Sequence, residues 1–286
     1  MLGLSATEKE LAAVRAELAA LGTYWAPSVG SRFILCGGRK GGGTKTTAAA
    51  AIGMTAAAIL SGKTAGVDLN PDGGTLLRRA GGRAAPTTGR LVQLAPMAPD
   101  ITSPVELDRF FDAVGRFFVA HNDDVPEAEV HDVSFEQISH ILKMFRRSFQ
   151  LTVADGGTSS GHQSFSAALP LADELVLAYD LDPDGLKLGL EGITALDKRG
   201  FGELVSTATV MLTARSTAVR VRDYLKIIGV FERICGEGHV QVVEFDKAAG
   251  PGSIDWANLK PRTQLAYSKL TVAALRGALG LRKGAA

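Results

Sequence analysis

The 286-residue chain has little of several things, and each shortage closes a class of explanation. Cysteine occurs only at Cys36 and Cys235, too sparse and too distant for a disulfide framework, so two buried packing thiols in a reducing compartment are expected. His121, His131, His140, His162 and His239 have no metal-binding spacing with those cysteines, which excludes a zinc centre of the usual kind. "GTSSG", the most serine-rich stretch beside glycine, lacks the order of a hydrolase nucleophile elbow. Long apolar runs are missing too. The most apolar stretch, 46–60, is alanine-rich and interrupted by Gly53 and Thr55, which suits a helix buried against a sheet and not a bilayer span. Glu8, Lys9, Glu10 and Arg15 fall where a secretory leader needs a basic then apolar order, so a cytoplasmic location is expected. Charge of one sign is not in excess: 31 Lys and Arg face 30 Asp and Glu, so contact with nucleic acid or anionic lipid requires a local patch.

What is present is a core-forming chain with 46% hydrophobic residues and a repeated strand, turn and helix rhythm. An amphipathic helix is predicted from Thr7 to Leu21, capped near Ser5 or Thr7, followed by a linker, so residues 1–30 form an extension and 31–286 one domain. The rhythm then runs through strand 32–36, helix 46–61, strand 65–69, strand 116–120, helix 134–145, strand 151–154, strand 174–179, helix 182–198, strand 207–212, helix 216–227, strand 241–245 and helix 262–279. Between 73 and 115 the pattern weakens, with "GGRAAPTTGR" read as loop and "ELDRFFDAV" as a short helix. Alternating strands and helices of this length predict an α/β fold of three layers, with a mostly parallel central sheet covered by helices on both faces.

The segment "GGRKGGGTKTTAAAA", 37–51, sits between the first strand and its helix. Glycines followed by a lysine and a hydroxyl residue at a helix start present backbone amides and one ammonium group to phosphate oxygens. Gly41, Gly42, Gly43, Thr44, Lys45, Thr46 and Thr47 are therefore candidate phosphate contacts; Lys45 would reach the terminal phosphates and Thr46 would ligate Mg²⁺. Glycine turns alone are common, and the position between strand and helix gives this one its weight. Asp155 in "LTVADGG" and Asp68 in "GVDLNPDGG" each end an apolar strand, where a carboxylate faces the crevice at the sheet's carboxyl edge. Either alone is an ordinary turn carboxylate. Thr213 and Asp246 complete the candidate nucleotide-contacting set.

These motifs resemble the MinD/ParA family of P-loop NTPases. "RKGGGTKTT" is similar to its deviant Walker A loop, "VDLNPDGGT" to its switch I, and "LTVADGG" to its Walker B, across about 32–279. Within the family the chain most resembles the actinobacterial MinD-like proteins found with type VII (ESX) secretion, as "LKPRTQLAY" also suggests. The resemblance implies ATP and Mg²⁺ as ligands, with Mg²⁺ on Thr46 and Asp155, and ATP-dependent homodimerisation. It also implies that Lys40 crosses to the partner's phosphates, that Asp68 positions water, and that a secretion or partition machinery is the protein partner.

Two departures stand out. Thr44 replaces the glycine before Lys45; if that position takes a left-handed backbone, the branched side chain costs about 1–3 kcal/mol and weakens the site. Thr213 stands where relatives often carry an adenine-contacting asparagine. Two alternatives to a slow ATPase switch follow: a nucleotide-responsive scaffold with little or no hydrolysis, and a ParA-type partition ATPase binding DNA non-specifically. The last would use Arg215, Arg220, Arg222 and Lys226 around one predicted helix, with Asp223 interrupting the run. The tail "KLTVAALRGALGLRKGAA" has a weak basic amphipathic pattern, read as the fold's last helix in preference to a membrane anchor.

Overall fold

A computed structural model of the chain describes residues 5–25, 29–38, 44–70, 73–101, 103–123, 133–157 and 163–281. In chain order the elements are α1 (Ala6–Tyr24), β1 (Arg32–Gly37), α2 (Thr44–Ile59), β2 (Thr64–Asp68), α3 (Leu76–Ala80), α4 (Leu91–Met97), α5 (Pro104–Asp108), β3 (Asp112–Val114), β4 (Phe117–Ala120), α6 (Phe135–Ser148) and β5 (Leu151–Asp155). They continue with α7 (Gln163–Ala168), β6 (Glu174–Asp180), α8 (Pro183–Leu196), α9 (Gly202–Ser206), β7 (Thr209–Thr213), α10 (Leu225–Cys235), β8 (Val240–Val243) and α11 (Pro261–Ala278).

The strands form one sheet in the order β3-β4-β2-β5-β1-β6-β7-β8, parallel throughout except for the edge pair β3 and β4. Its strands are apolar on both sides, as a sheet covered on both faces requires. Within β1, Phe33 and Leu35 join a core containing Leu94, Ile138, Leu142 and Phe165, contributed by α4, α6 and α7. Ile34 and Cys36 point into the opposite core, with the alanines of α2 and residues of α1 and α11. Period-two alternation thus feeds two cores and produces the three layers. Both cysteines are buried free thiols. Among the described residues no helix is long and apolar enough to cross a membrane.

Local signals explain several elements. Ser5 and Ser134 each form a capping box, with Glu8 and Gln137 returning the bond to the cap amide. Leu11, Val14, Leu18 and Leu21 of α1 are buried in the core shared with α11. Leu270 and Leu275 of α11 are fully buried, so the apolar face of the last helix is spent on packing.

Three expectations are corrected. "ELDRFFDAV" is split: α5 ends at Asp108, and Asp112–Val114 pairs antiparallel with β4. The chain turns because Phe111 packs at 5.1 Å from the rings of both Phe145 and Phe149. The helix expected over 216–227 is a bend leading into a 3₁₀ turn, Val221–Tyr224, and the α-helix runs later, Leu225–Cys235. Phe231, stacked on Tyr179 at 5.8 Å, and Cys235 are the residues that bury its face. Thr44 is the first residue of α2, so its backbone is right-handed and the expected left-handed strain does not arise.

Candidate functional site

Every strand end that matters to the site lies on the carboxyl edge of the parallel strands, where open α/β sheets collect ligands. The register sets the neighbours: Cys36 pairs with Asp155 across β1 and β5, and Asp155 with Asp68 across β5 and β2. On the other side Asp180 of β6 pairs with Thr213 of β7. The chain leaves β1 through Gly38, whose backbone passes so near β6 that a Cβ would sit 2.5 Å from the Ala178 carbonyl oxygen. It re-enters the described residues at Thr44. Lys40, Gly41, Gly42 and Gly43 lie outside them.

Thr46 donates its hydroxyl hydrogen to Oδ2 of Asp155. The other carboxylate oxygen, Oδ1, is buried without a hydrogen-bond partner. A bare buried carboxylate oxygen is costly. Beside a threonine hydroxyl, it makes the paired hard-oxygen donors that Mg²⁺ takes in phosphate sites. The residues therefore fit Mg²⁺. Lys45, also buried, directly precedes Thr46 in the helix. Burial lowers the pKa of its ammonium group and the Arg215 charge adds to that, against the opposing pull of Asp155 and Asp180.

Asp68 is fully buried at the same edge. Its Oδ1 accepts from the Asn70 amide at 3.1 Å and its Oδ2 from the Leu76 amide at 2.9 Å. Burial, then the Asp155 charge, push its carboxyl above the ordinary range. Burial likewise raises Asp155, although Thr46 and Lys45 pull it down. The chain folds tightly over Asp68: a Cβ on Gly74 would come within 2.1 Å of Oδ2.

From the phosphate side a cavity of about 390 Å³ extends past β7 and β8, lined by Thr44, Thr46, Thr47, Thr213 and Asp246 among others. The Thr213 hydroxyl is buried without a hydrogen-bond partner. Asp246 instead has both oxygens occupied, accepting from the amides of Ala248 at 3.1 Å and Lys260 at 2.8 Å. Its observed work is to hold the 247–260 segment as the cavity wall.

Sequence reading missed three participants. Arg79 donates from Nε to the Thr47 hydroxyl at 2.9 Å and from its other nitrogens to the carbonyls of Ala249, Gly250 and Gly252, tying α3 to α2 and to the cavity wall. Asp180 ends an apolar strand just as Asp68 and Asp155 do, and the same rule would have found it. Arg215 was grouped with a basic helix face. It lies instead in the site, with Nε 2.6 Å from Asp180 and Nη2 2.7 Å from the Thr44 hydroxyl.

A central parallel strand followed by a helix, with carboxylates at the ends of neighbouring strands, gives the chain a three-layer α/β fold of the P-loop NTPase type. More narrowly, the chain has the fold of the MinD/ParA ATPases. A ParA family ATPase from Chlorobium tepidum TLS aligns over 89% of this chain and 100% of its own, with a TM-score of 0.67 and 16% identity. MinD from Pyrococcus horikoshii OT3, solved with Mg-ADP, aligns over 84% and 94%, with a TM-score of 0.61 and 16% identity. The chain is also 25% identical over 233 residues to EspI, an ESX-1 secretion-associated protein of Mycobacterium tuberculosis. That match takes in 78% of this chain and 33% of EspI, so the chain spans about a third of the length of this curated relative. No protein-family model matches the chain.

Proposed function

We propose that the chain is an ATP-binding switch that dimerises when ATP and Mg²⁺ are bound, hydrolyses ATP slowly, and so positions or regulates a larger assembly. A type VII secretion apparatus is the partner class that the similarity to EspI favours. The observation that carries the reading is the Thr46 and Asp155 pair, with its unpartnered carboxylate oxygen, beside the buried Lys45.

Thr46 and Asp155 would hold Mg²⁺, which when bound neutralises phosphate charge and orients the terminal phosphoryl group. Lys45 opposes the phosphate charge from within the helix, and the amides opening α2 add their dipole. Thr213 offers its unpartnered hydroxyl to the base. Asp68 is assigned to orient the attacking water, using the acceptor capacity that the Asn70 and Leu76 amides leave on its two oxygens. Lys40 is assigned to the partner's phosphates on the strength of the "RKGGGTKTT" resemblance, making turnover depend on assembly.

A second reading, a nucleotide-responsive scaffold with little turnover, is favoured by Asp68 itself, because both its oxygens are engaged by its own loop. Light scattering with and without ATP and Mg²⁺, paired with phosphate release, separates the two. The expected result is a doubled mass with ATP and Mg²⁺, slow phosphate release, and loss of both in Lys45→Ala. Assembly without phosphate release selects the scaffold. Equal nucleotide binding by the parent and Lys45→Ala overturns the site altogether.

A further inference from the structure

Thr44 stands where the phosphate-loop pattern has glycine, and its side chain is fully engaged. The hydroxyl donates to Oδ1 of Asp180 at 3.1 Å and accepts from Nη2 of Arg215 at 2.7 Å. Arg215 closes the ring by donating from Nε to the same Asp180 oxygen at 2.6 Å. Three segments remote in sequence, the start of α2 and the ends of β6 and β7, are joined by one closed set of hydrogen bonds. A glycine at 44 removes two of the three.

Arg215 and Thr44 both line the cavity at the start of α2. The Arg215 charge is felt at Lys45 and at Arg79, lowering the pKa of each after burial has done so. Arg79 and Arg215 therefore line one cavity, within reach of the charge of the buried Lys45, and close cations of like sign are costly unless an anion shares them. Asp155 and Asp180 offset part of that charge; of the other carboxylates on the wall, Asp246 is taken up by the Ala248 and Lys260 amides and Glu244 lies 3.4 Å from Arg262. A polyphosphate would balance the rest, and a guanidinium fork matches phosphate oxygens well.

Resting on the nucleotide-binding reading above, we propose that Arg215 is a second cation for the polyphosphate, supplied within the same chain, and that Thr44 is the positioning residue that holds it there. In this view the departure from glycine adds a side chain with a task. Arg215 trades part of its bond to Asp180 for phosphate oxygens, and the Thr44 hydroxyl keeps the guanidinium at the cavity during the exchange.

The test measures dissociation constants for ATP, ADP and adenosine with the full chain, Arg215→Gln, Thr44→Gly, Thr44→Ser and Lys45→Ala. A charge-assisted hydrogen bond contributes about 1.5–3 kcal/mol, so Arg215→Gln is expected to weaken ATP binding roughly 10- to 100-fold. Adenosine binding is expected to be unchanged. Thr44→Gly should weaken ATP in the same direction, Thr44→Ser should restore it, and a variant combining Thr44→Gly with Arg215→Gln should be no worse than Arg215→Gln alone. The Arg215 side chain is 46% exposed, so its replacement leaves the core intact. ATP affinity unchanged in Arg215→Gln, or an equal loss for adenosine, overturns the proposal while leaving the nucleotide site standing if Lys45→Ala still abolishes binding. Absence of ATP binding by the parent chain overturns both.

Discussion

At the scale of single residues, the adjoining carboxyls at the sheet edge give the ligand-free protein a pH signature. Asp68 is raised in the folded chain, from the ordinary 3.8 to about 8, by burial and then by Asp155. Between the unfolded and folded values the folded chain keeps a proton that the unfolded chain has released. The stability tied to that proton is complete below the unfolded value and is lost as pH rises through the folded one. The thermal midpoint of the ligand-free protein is therefore expected to fall as pH rises from about 4 to about 8. Asp68→Asn, which still accepts from the Leu76 amide and has no charge to bury, should flatten the profile. An equally steep profile in the variant contradicts the assignment. Asp112 shows the opposite case: burial would raise it, but bonds from His121, Ala85 and Thr88 outweigh burial and hold it low.

At the scale of elements, α2 approaches the sheet closely because its buried face is alanine and glycine. A Cβ on Gly53 would lie 2.3 Å from Cζ of Phe117 on β4, and two further ring atoms stand at 2.4 and 3.0 Å. Valine recovers less than the ~1 kcal/mol that glycine gives up in a helix, whereas overpacking costs about 1–3 kcal/mol, so the steric term wins. Gly53→Val is expected to lower stability by about 1–3 kcal/mol in urea unfolding, with Lys45 and Thr46 displaced in consequence. An unchanged unfolding midpoint would show that α2 can slide along the sheet. A comparable approach joins α11 to β6, where a Cβ on Gly277 would fall 2.0 Å from the buried Glu174 carboxylate. Glu174 is occupied there in accepting from the Thr209 amide and hydroxyl at 3.0 and 2.8 Å.

At the scale of the whole molecule, α1 completes one of the two cores. Its ion pairs to α11, Glu10 to Lys269 and Glu17 to Arg276, are half-exposed, and such pairs contribute at most about 1 kcal/mol each. Leu11, Val14, Leu18 and Leu21 are buried, and at about 1.5–3 kcal/mol for each apolar side chain they dominate. Their sum, about 6–12 kcal/mol as an upper bound, matches the total stability of an ordinary domain. Deleting residues 6–25 is expected to abolish cooperative thermal unfolding or to shift it steeply down. A truncated chain that melts like the parent would make α1 an appendage. The basic residues proposed for DNA fare differently at this scale: Arg215 is drawn into the site, and Arg222 lies 3.7 Å from Asp223, so the patch is thinner than its sequence suggested.

The sequence by itself determined the strand and helix rhythm, the strand-end carboxylates and the capped helices, because each is written in neighbouring residues. Side chains three or four apart decide a helix face, and alternate ones decide a strand. It also showed that Thr44 departs from the glycine pattern, but not what that side chain does. Only the tertiary structure decided that β5 lies between β1 and β2, which sets Asp68 beside Asp155. It alone brought Thr44 to Asp180 and Arg215, 136 and 171 residues away, and turned Arg79 onto Thr47 and the cavity wall. Those partners are chosen by which strands become neighbours in the sheet, a competition among long-range packings that no local spacing records.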